Sequence, residues 1–225
     1  MPEFLAHIAL DGRRQSVREH LIGTGTRAAS FAAAFDAEEQ GQLAGWAHDL
    51  GKYSDAFQRR IRGSAERVDH ATAGAAECVK QNQIYAAFSI MGHHGGLPDG
   101  GSRTDNSDSA TFLGRLQRAG KGKLEDYSPW QTEINLPQAK APSINHGNPE
   151  DVMFFIRMLY SCLTDADFLD TEEFMQGEKS ENQADSIAAL TDRLDHFCEG
   201  WFPPQTPLNR NRCEILRCCQ KQGDR

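Results

Sequence analysis

The sequence predicts an all-α fold, and three observations lead to this prediction. Apolar residues recur at helical spacing in several segments, the clearest being SVREHLIGTGTRAASFAAAF at residues 16–35. No segment alternates apolar and polar residues convincingly with a period of two, as a half-buried strand would. Hydrophobic residues make up 39% of the 225 residues and charged residues 25%, which is typical of a globular protein with a substantial core.

The first two helical regions carry ionisable residues beside apolar ones. Residues 16–35 begin with a serine suited to the N-cap, and two glycines weaken the middle of this helix. Residues 37–62 predict one or two helices, in which His48, Asp49 and Lys52 lie beside an apolar stripe. Lys52 follows Asp49 by three positions, so we expect both on one helix face.

The rest of the chain predicts helices separated by irregular segments. These elements are a helix at 69–80, an apolar helix at 84–91 ending at two glycines, a mobile surface loop at 97–109, an irregular proline-rich connection at 124–149 and a last helix near 184–199 that closes the domain. Residues 151–169 are apolar on nearly all sides, so we expect this helix to run through the core. Asp165 and Asp167 are expected near its C-terminal end.

Charge, cysteines and hydropathy exclude several classes of protein. A formal net charge of −8 argues against nucleic-acid binding over the whole surface, because phosphate contacts need clustered lysine and arginine. Two basic runs, at 59–67 and 115–123, are either local patches of that kind or solvated helix faces. The apolar segments suit neither an export signal nor a membrane span, so we expect a cytoplasmic protein without a membrane partner. Six cysteines without a CxxC pair are expected to be reduced, with zinc binding by Cys213, Cys218 and Cys219 as the alternative.

Histidines and aspartates recur beside the apolar stripes. A carboxylate such as Asp49, close to Trp46 and Leu50, is costly to bury unless it is paired or bound to a metal. Imidazole with carboxylate suits Mn, Fe, Co, Ni or Zn, whereas a magnesium site would want more oxygen. Two cations would use all the candidate ligands: His20, His48, Asp49, His70, His93, His94 and Asp165 or Asp167. The other three histidines are expected to be core residues bonded to carbonyl groups: His7, His146 and His196.

Five motifs occur in a fixed order along the chain: HL at 20–21, HDLGK at 48–52, DHATAGA at 69–75, MGHHGG at 91–96 and LTDADFLDTE at 163–172. In order and separation they resemble the HD nuclease domain of the CRISPR-associated helicase-nuclease of type I interference systems. The resemblance covers about residues 5–200. HD phosphohydrolases in general share only the H, HD and D skeleton, and the additional DH and HHGG motifs favour the CRISPR branch.

The resemblance implies an all-α HD fold, a helical bundle with irregular loops, that cuts single-stranded DNA at two divalent transition-metal ions. His20, His48, Asp49 and a late aspartate would hold the first ion. Asp49 would bridge to a second ion, held by His70, His93 and His94. Lys52 would face the phosphate, and a salt bridge to Asp49 or Asp55 at the surface is its alternative role. Mn, Ni, Co and Fe are the favoured metals, with Mg or Zn as alternatives.

The late aspartate has two candidates, which lie about 200° apart on an ideal helix, so only one faces the metals. The resemblance favours Asp167, because the family's aspartate follows an alanine and precedes aromatic or apolar residues. Asp165 is the alternative ligand. If it is not a ligand, we expect Asp165, like Asp69, to accept a hydrogen bond from a ligand histidine and so orient it.

The resemblance also implies partners. They are single-stranded DNA, a helicase domain in the same or a separate chain, and an RNA-guided CRISPR surveillance complex. We expect residues 1–200 to form the nuclease domain and residues 201–225 to begin the connection to a helicase. The chain carries no phosphate-binding GxxxxGK[ST] loop of its own.

Two other functions remain open on the sequence. The first is an HD phosphohydrolase that acts on nucleotides or cyclic dinucleotides, which would need a compact basic and aromatic pocket. The second is an inactive docking module stabilised by metal. Structural zinc sites are usually closed by four protein ligands, whereas seven ligands shared by two metals leave positions open, which favours an enzyme.

Overall fold

The helices predicted from the sequence form the main body of the protein. The computed structural model describes residues 3–177 and 185–223, and 61% of the chain is helical. The α-helices of the described residues are α1 Val17–Ala32, α2 Glu38–Ala47, α3 Asp55–Ile61, α4 Ala71–Lys80, α5 Ile84–Gly92, α6 Phe112–Gly120, α7 Pro149–Gln176, α8 Ile187–Glu199 and α9 Pro207–Gly223. Short 3₁₀ helices cover Ala33–Phe35, Leu50–Tyr53 and Ser128–Thr132. None of the described helices combines the length and apolar character needed to cross a membrane.

The chain divides by its contacts into two compact units, Met1–Lys179 and Ser180–Arg225. In the first unit α1 packs on α2 and α7, and α5 packs on α4 and α7. The hydrophobic core lies between these helices. The second unit contains α8 and α9. A helix near 184–199 is therefore confirmed, but by contacts it belongs to the second unit. The predicted domains 1–200 and 201–225 stay predictions.

Helix α1 starts where its sequence indicates. Ser16 is the N-cap, with its side chain accepting from the Glu19 amide at 3.2 Å while Glu19 accepts from the Ser16 amide at 2.9 Å. Gly25 of α1 packs closely against Gly45 of α2. A Cβ on Gly45 would come within 2.4 Å of Gly25 Cα. The two helices therefore approach closely at this point.

A small β-hairpin, which was not predicted, precedes α1, and the mostly helical fold remains consistent with the all-α prediction. Strands β1 Leu5–Ile8 and β2 Arg14–Ser16 pair antiparallel. The hairpin escaped prediction because Leu5 and the next residue are both buried, so no period of two appears. Gln58 of α3 is hydrogen-bonded to β1. Its Oε1 accepts from the Leu5 amide and its Nε2 donates to the Leu5 carbonyl, each at 3.0 Å.

Helix α7 differs from its prediction in length and in burial. It continues to Gln176, so Asp165 and Asp167 lie well before its C-terminal end. The expectation of an apolar helix buried on nearly all sides is wrong, since Phe154 is 67% exposed and Phe168 is 65% exposed. Only one face of α7 packs against the core. Its buried apolar residues are Phe155, Ile156, Leu159, Cys162, Leu163 and Ala166.

The segment 97–109 has neither helix nor strand, as expected. It does contain a buried residue, however: Ser107 accepts from Arg118 Nε at its carbonyl at 3.0 Å and from Lys123 Nζ at its hydroxyl at 2.8 Å. Helix α6, which donates the first of these bonds, was not among the predicted helices. Its Phe112 ring stacks on Phe88 of α5, with ring centroids 3.8 Å apart.

Candidate metal centre

Five helices of the first unit bring the candidate ligands together. His20 lies in α1, His48 caps the C-terminus of α2 and Asp49 follows it. The other elements contribute His70 as the N-cap of α4, His93 and His94 after α5, and Asp167 in α7. Their ligand atoms form three overlapping groups in which all atoms lie within 4.8 Å of one another. These buried groups have the composition and spacing to hold a metal ion.

Asp49 lies at the centre, with a side chain 1% exposed. Its Oδ2 is 3.5 Å from His20 Nε2 and 3.3 Å from His48 Nε2. Its Oδ1 is 3.6 Å from His70 Nε2 and 3.4 Å from His93 Nε2. The two oxygens of one carboxylate therefore face two different pairs of histidines.

The remaining residues join one side or the other. Asp167 Oδ1 lies 3.2 Å from His20 Nε2 and 3.6 Å from His48 Nε2, and we call these three residues the inner group. His94 Nε2 lies 2.6 Å from His70 Nε2, and we call His70, His93 and His94 the outer group. Asp49 is shared by both groups.

Four of the ligand rings are oriented by their other nitrogen. The Nδ1 contacts are His20 with Asp170 Oδ2 at 2.8 Å, His48 with the Gly45 carbonyl at 2.8 Å, His93 with the Ile90 carbonyl at 2.6 Å and His70 with the Val68 carbonyl at 3.3 Å. A carbonyl oxygen can only accept, so Nδ1 of His48, His70 and His93 carries a proton. The Nε2 atoms face Asp49, and once they are deprotonated they are the nitrogens that can bind a metal.

Several polar atoms of the cluster are buried without a hydrogen bond in the described part of the chain. They are Nε2 of His20, His48 and His93 and both carboxylate oxygens of Asp49. Each such atom costs about 1–3 kcal/mol if nothing compensates for the lost water. They converge on the same space, which a divalent cation would fill. The residues present therefore fit a metal.

The charges of the two groups differ. Burial lowers the pKa of an imidazole, but at His48 the carboxylates of Asp49 and Asp167 outweigh burial and raise the pKa to about 10. Burial alone would raise the pKa of Asp49, yet Lys52 and His48 hold it well below its usual value. At His94, burial and the neighbouring His93 lower the pKa to about 4. The inner group thus attracts positive charge, while His94 is neutral.

Lys52 belongs to the centre and is not a surface residue. Its side chain is 6% exposed, and Nζ lies 2.7 Å from Asp49 Oδ2, an ion pair that lacks the angles of a hydrogen bond. This pair forms although the two residues lie beyond the end of α2, in a 3₁₀ turn and not on a shared α-helix face. The i, i+3 spacing predicted the contact but not the local structure.

The two late aspartates have different places. Asp167 is part of the inner group, whereas Asp165 is exposed. Asp165 and Asp69 were expected to accept from a ligand histidine, but Asp69 accepts from Thr72, Arg115 and Arg118. Asp170 does so instead, at His20 Nδ1. Its signal in the sequence is its position three residues after Asp167, on the same face of α7.

The histidines outside the motifs are not carbonyl-bonded core residues as expected. His146 is exposed and stacks on Tyr85, and His196 is exposed and pairs with Glu199. His7 was missed as a neighbour of the centre. Its Nε2 lies 3.4 Å from Lys52 Nζ, and burial followed by the Lys52 charge lowers its pKa to about 3. No metal-ligand group in the described ranges includes a cysteine, so the zinc alternative gains no support.

A cavity of about 590 Å³ opens beside the outer group. His70 and His94 line it together with Leu97, Pro98 and Thr111, among others. This volume lies within the range of small-ligand sites in proteins. The outer group therefore borders this cavity, whereas His20, His48 and Asp167 do not line it.

Comparison of the whole chain with other proteins adds no further information. A scan against known protein families found no match, and a search of curated proteins found none either.

Proposed function

We propose that this chain is a metal-dependent phosphodiesterase that cuts single-stranded DNA, with an HD-type fold. The observation that carries the proposal is the shared carboxylate of Asp49, with two histidine pairs on its two oxygens. This arrangement fits two metal ions bridged by one aspartate. The sequence resemblance described above supplies the reaction.

Each group would hold one ion. His20, His48 and Asp167 are the proposed ligands of the first, and His70, His93 and His94 are those of the second, with Asp49 bound to both. The imidazole-rich set favours Mn, Fe, Co, Ni or Zn over Mg. Such a pair of ions, when bound, supplies a water of lowered pKa and positive charge for the phosphate oxygens.

Lys52 has two roles in the proposal. Its ammonium group lies 2.7 Å from Asp49 and fixes the position of the shared carboxylate. It also adds a positive charge close to where a phosphodiester gains negative charge during hydrolysis. Lys52 Nζ also lies 3.4 Å from His7 Nε2, a second polar contact of the ammonium group.

Single-stranded DNA suits the surroundings of the centre. The cavity beside His70 and His94 has room for part of a nucleotide chain, and a flexible strand bends into such a concave site more easily than a duplex. The net charge of −8 predicts weak binding by this chain alone. A helicase domain and an RNA-guided surveillance complex are the proposed partners that would deliver the strand, in the cytoplasm.

Hydrolysis of a nucleotide or cyclic dinucleotide is the second candidate. The cavity volume favours it, because about 590 Å³ accommodates a small ligand. The lining argues against it, since the one cation there, Arg115, already binds Asp69. The two candidates differ in what the loaded protein hydrolyses.

The test loads metal-free protein separately with Mn, Ni, Co, Fe, Zn or Mg and measures bound metal together with cleavage. Each sample receives a single-stranded oligonucleotide and a panel of nucleotides and cyclic dinucleotides. We expect two ions per chain and cleavage of the oligonucleotide, lost in His48→Ala and kept in His196→Ala, whose histidine is exposed. Turnover of nucleotides only would contradict the DNA substrate, and full activity of His48→Ala would contradict the centre.

A further inference from the structure

We propose that Arg115 is a positioning residue that sets the metal affinity of the outer group without touching it. This inference rests on the proposed role of the cluster as a metal centre. Arg115 joins the ends of the two helices from which the outer histidines project. It acts through Asp69 and through the backbone of α5.

Arg115 makes three hydrogen bonds with three different residues. Nη2 donates to Asp69 Oδ1 at 3.1 Å, Nε donates to Thr72 Oγ1 at 2.9 Å and Nη1 donates to the Met91 carbonyl at 2.7 Å. Asp69 and Thr72 flank His70 at the start of α4. Met91 lies in the last turn of α5, two residues before His93. One guanidinium therefore fixes the spacing between the two chain segments of the outer group.

Asp69 completes this link. Its carboxylate accepts from the Thr72 amide at 3.1 Å, from the Thr72 hydroxyl at 2.7 Å and from Arg118 Nη1 at 2.9 Å, besides Arg115. The residue next to His70 is thus held by two arginines of α6.

Helix α6 is itself anchored to α5. Phe112 of α6 stacks on Phe88 of α5 with an interplanar angle of 6°. Arg115 is therefore delivered from a fixed helix and not from a free surface loop. Its side chain is 19% exposed, which leaves the three bonds partly shielded from water.

The inner group does not depend on this link. Its ligands lie in α1, after α2 and in α7, which pack directly on one another. His20 is oriented by Asp170 and His48 by its own helix, at the Gly45 carbonyl. Loss of Arg115 should therefore weaken one metal site and spare the other.

Only arginine fits this position. Its planar guanidinium reaches an acceptor on each side at fixed angles, whereas the single ammonium of lysine cannot satisfy three acceptors spread over two helices. Arg115→Lys keeps the charge and loses the geometry. Arg115→Met keeps much of the length and loses both.

The test is a calorimetric titration of metal-free protein with Mn²⁺ alone. We expect two sites in the unchanged chain. In Arg115→Met the first site should keep its affinity within about twofold and the second should weaken by about 10- to 100-fold, the usual effect of losing an outer partner of a metal ligand. In Arg115→Lys the affinity of the second site should lie between its values in the unchanged chain and in Arg115→Met. The matched control is Arg59→Gln, which breaks the exposed pair with Glu66 at 3.1 Å and should change neither site.

The outcomes separate the two proposals. Helical content by circular dichroism shows whether each variant is folded, and if Arg115→Met is not, Arg115→Lys decides by the same criterion. If a folded variant binds Mn²⁺ at both sites with unchanged affinity, or with affinities weakened equally, the positioning role of Arg115 is overturned. The proposed metal centre itself would stand. A chain without substitution that binds no Mn²⁺ overturns the proposed metal centre and this inference with it.

Discussion

The inner and outer groups share Asp49 but are held in the fold in different ways. The side chains of His20 and His48 are fully buried, on helices that form the core. In the outer group His93 is buried, but His70 is 13% exposed and His94 lies at the surface. These residues are at helix ends, beside the cavity. The two inner histidines are therefore part of the buried framework of the fold, although Asp167 is 20% exposed, whereas His70 and His94 of the outer group border the cavity.

The two groups also differ in charge. Carboxylates of Asp49 and Asp167 surround the inner imidazoles and raise the pKa of His48 to about 10. Burial and neighbouring positive charge lower the pKa of His70, and burial together with His93 lowers that of His94 to about 4. In the metal-free protein at neutral pH, His48 therefore binds a proton, whereas His70 and His94 do not.

Loss of the shared residue should abolish the function of both groups. Asp49→Asn keeps the shape of the side chain and removes its charge, so neither group retains its bridging carboxylate. We expect cleavage to fall by more than about 10³-fold, beyond the 10²–10³ of a single electrostatic contact. An oligonucleotide assay under saturating metal measures it, with Asp165→Asn as the control because Asp165 is exposed on α7. Activity of Asp49→Asn within tenfold of the unchanged chain would refute the bridging role.

Truncating a ligand side chain to alanine should lower the free energy of unfolding when the ligand belongs to the inner group, but not when it is His94 of the outer group. His48→Ala removes the buried positive partner of Asp49, and breaking such a pair costs about 3–5 kcal/mol. His94→Ala removes an exposed side chain, so the free energy of unfolding should change by about 0.5 kcal/mol or less. Urea unfolding of both metal-free variants measures the difference. Equal losses would show that the outer group is as much a part of the framework as the inner one.

Asp170 should tune the inner group alone. Asp170→Asn replaces the charged acceptor of His20 Nδ1 by a neutral one of the same shape, which makes the imidazole a weaker ligand. We expect the affinity of one metal site to fall by about tenfold, near the lower end for such partners. The same titration on Asp165→Asn is the control, and a weakened outer site in Asp170→Asn would contradict the division into two groups.

Metal binding should release a proton from His48 and none from His94. Because the folded-state pKa of His48 lies near 10, this ring is protonated at pH 7.5 without metal, and a ligand imidazole must be neutral. His94, with a pKa near 4, is already neutral at that pH. We expect the ion bound by the inner group to release about one to two protons. Calorimetry in buffers of different ionisation enthalpy counts the released protons. If the heat of the first binding step did not depend on the buffer, the assignment of a protonated His48 to the inner group would be contradicted.

Sequence reasoning found the residues of the centre and missed how they are held. His48, Asp49 and Lys52 could be predicted because burying them together needs a compensating partner. Asp170 had only the signal of its position three residues after Asp167, and its role depends on which nitrogen of His20 faces the cluster. The motif residues adjoin regular helices. Helix α6 follows an irregular segment, and its only signal in the sequence was a run of basic residues. Arg115 was therefore noted as part of a basic run, and its partners Asp69 and Met91 appear only in three dimensions.

The helical part of the fold followed from periodicity, and the exceptions have physical causes. The strand at Leu5 shows no alternation because it is covered on both sides near its start. Helix α7 is rich in apolar residues on all sides, but only one face packs, so composition overstated its burial. Side chains such as Phe168 are exposed in spite of their type.

The central claim is that two metal ions lie on opposite oxygens of Asp49. Anomalous X-ray diffraction from crystals of this chain grown with Mn²⁺ tests it most directly. We predict two anomalous peaks, one beside His20, His48 and Asp167 and one beside His70, His93 and His94. A map with no peak at Asp49, or with a single ion bound to only one of its oxygens at saturating Mn²⁺, would contradict the account.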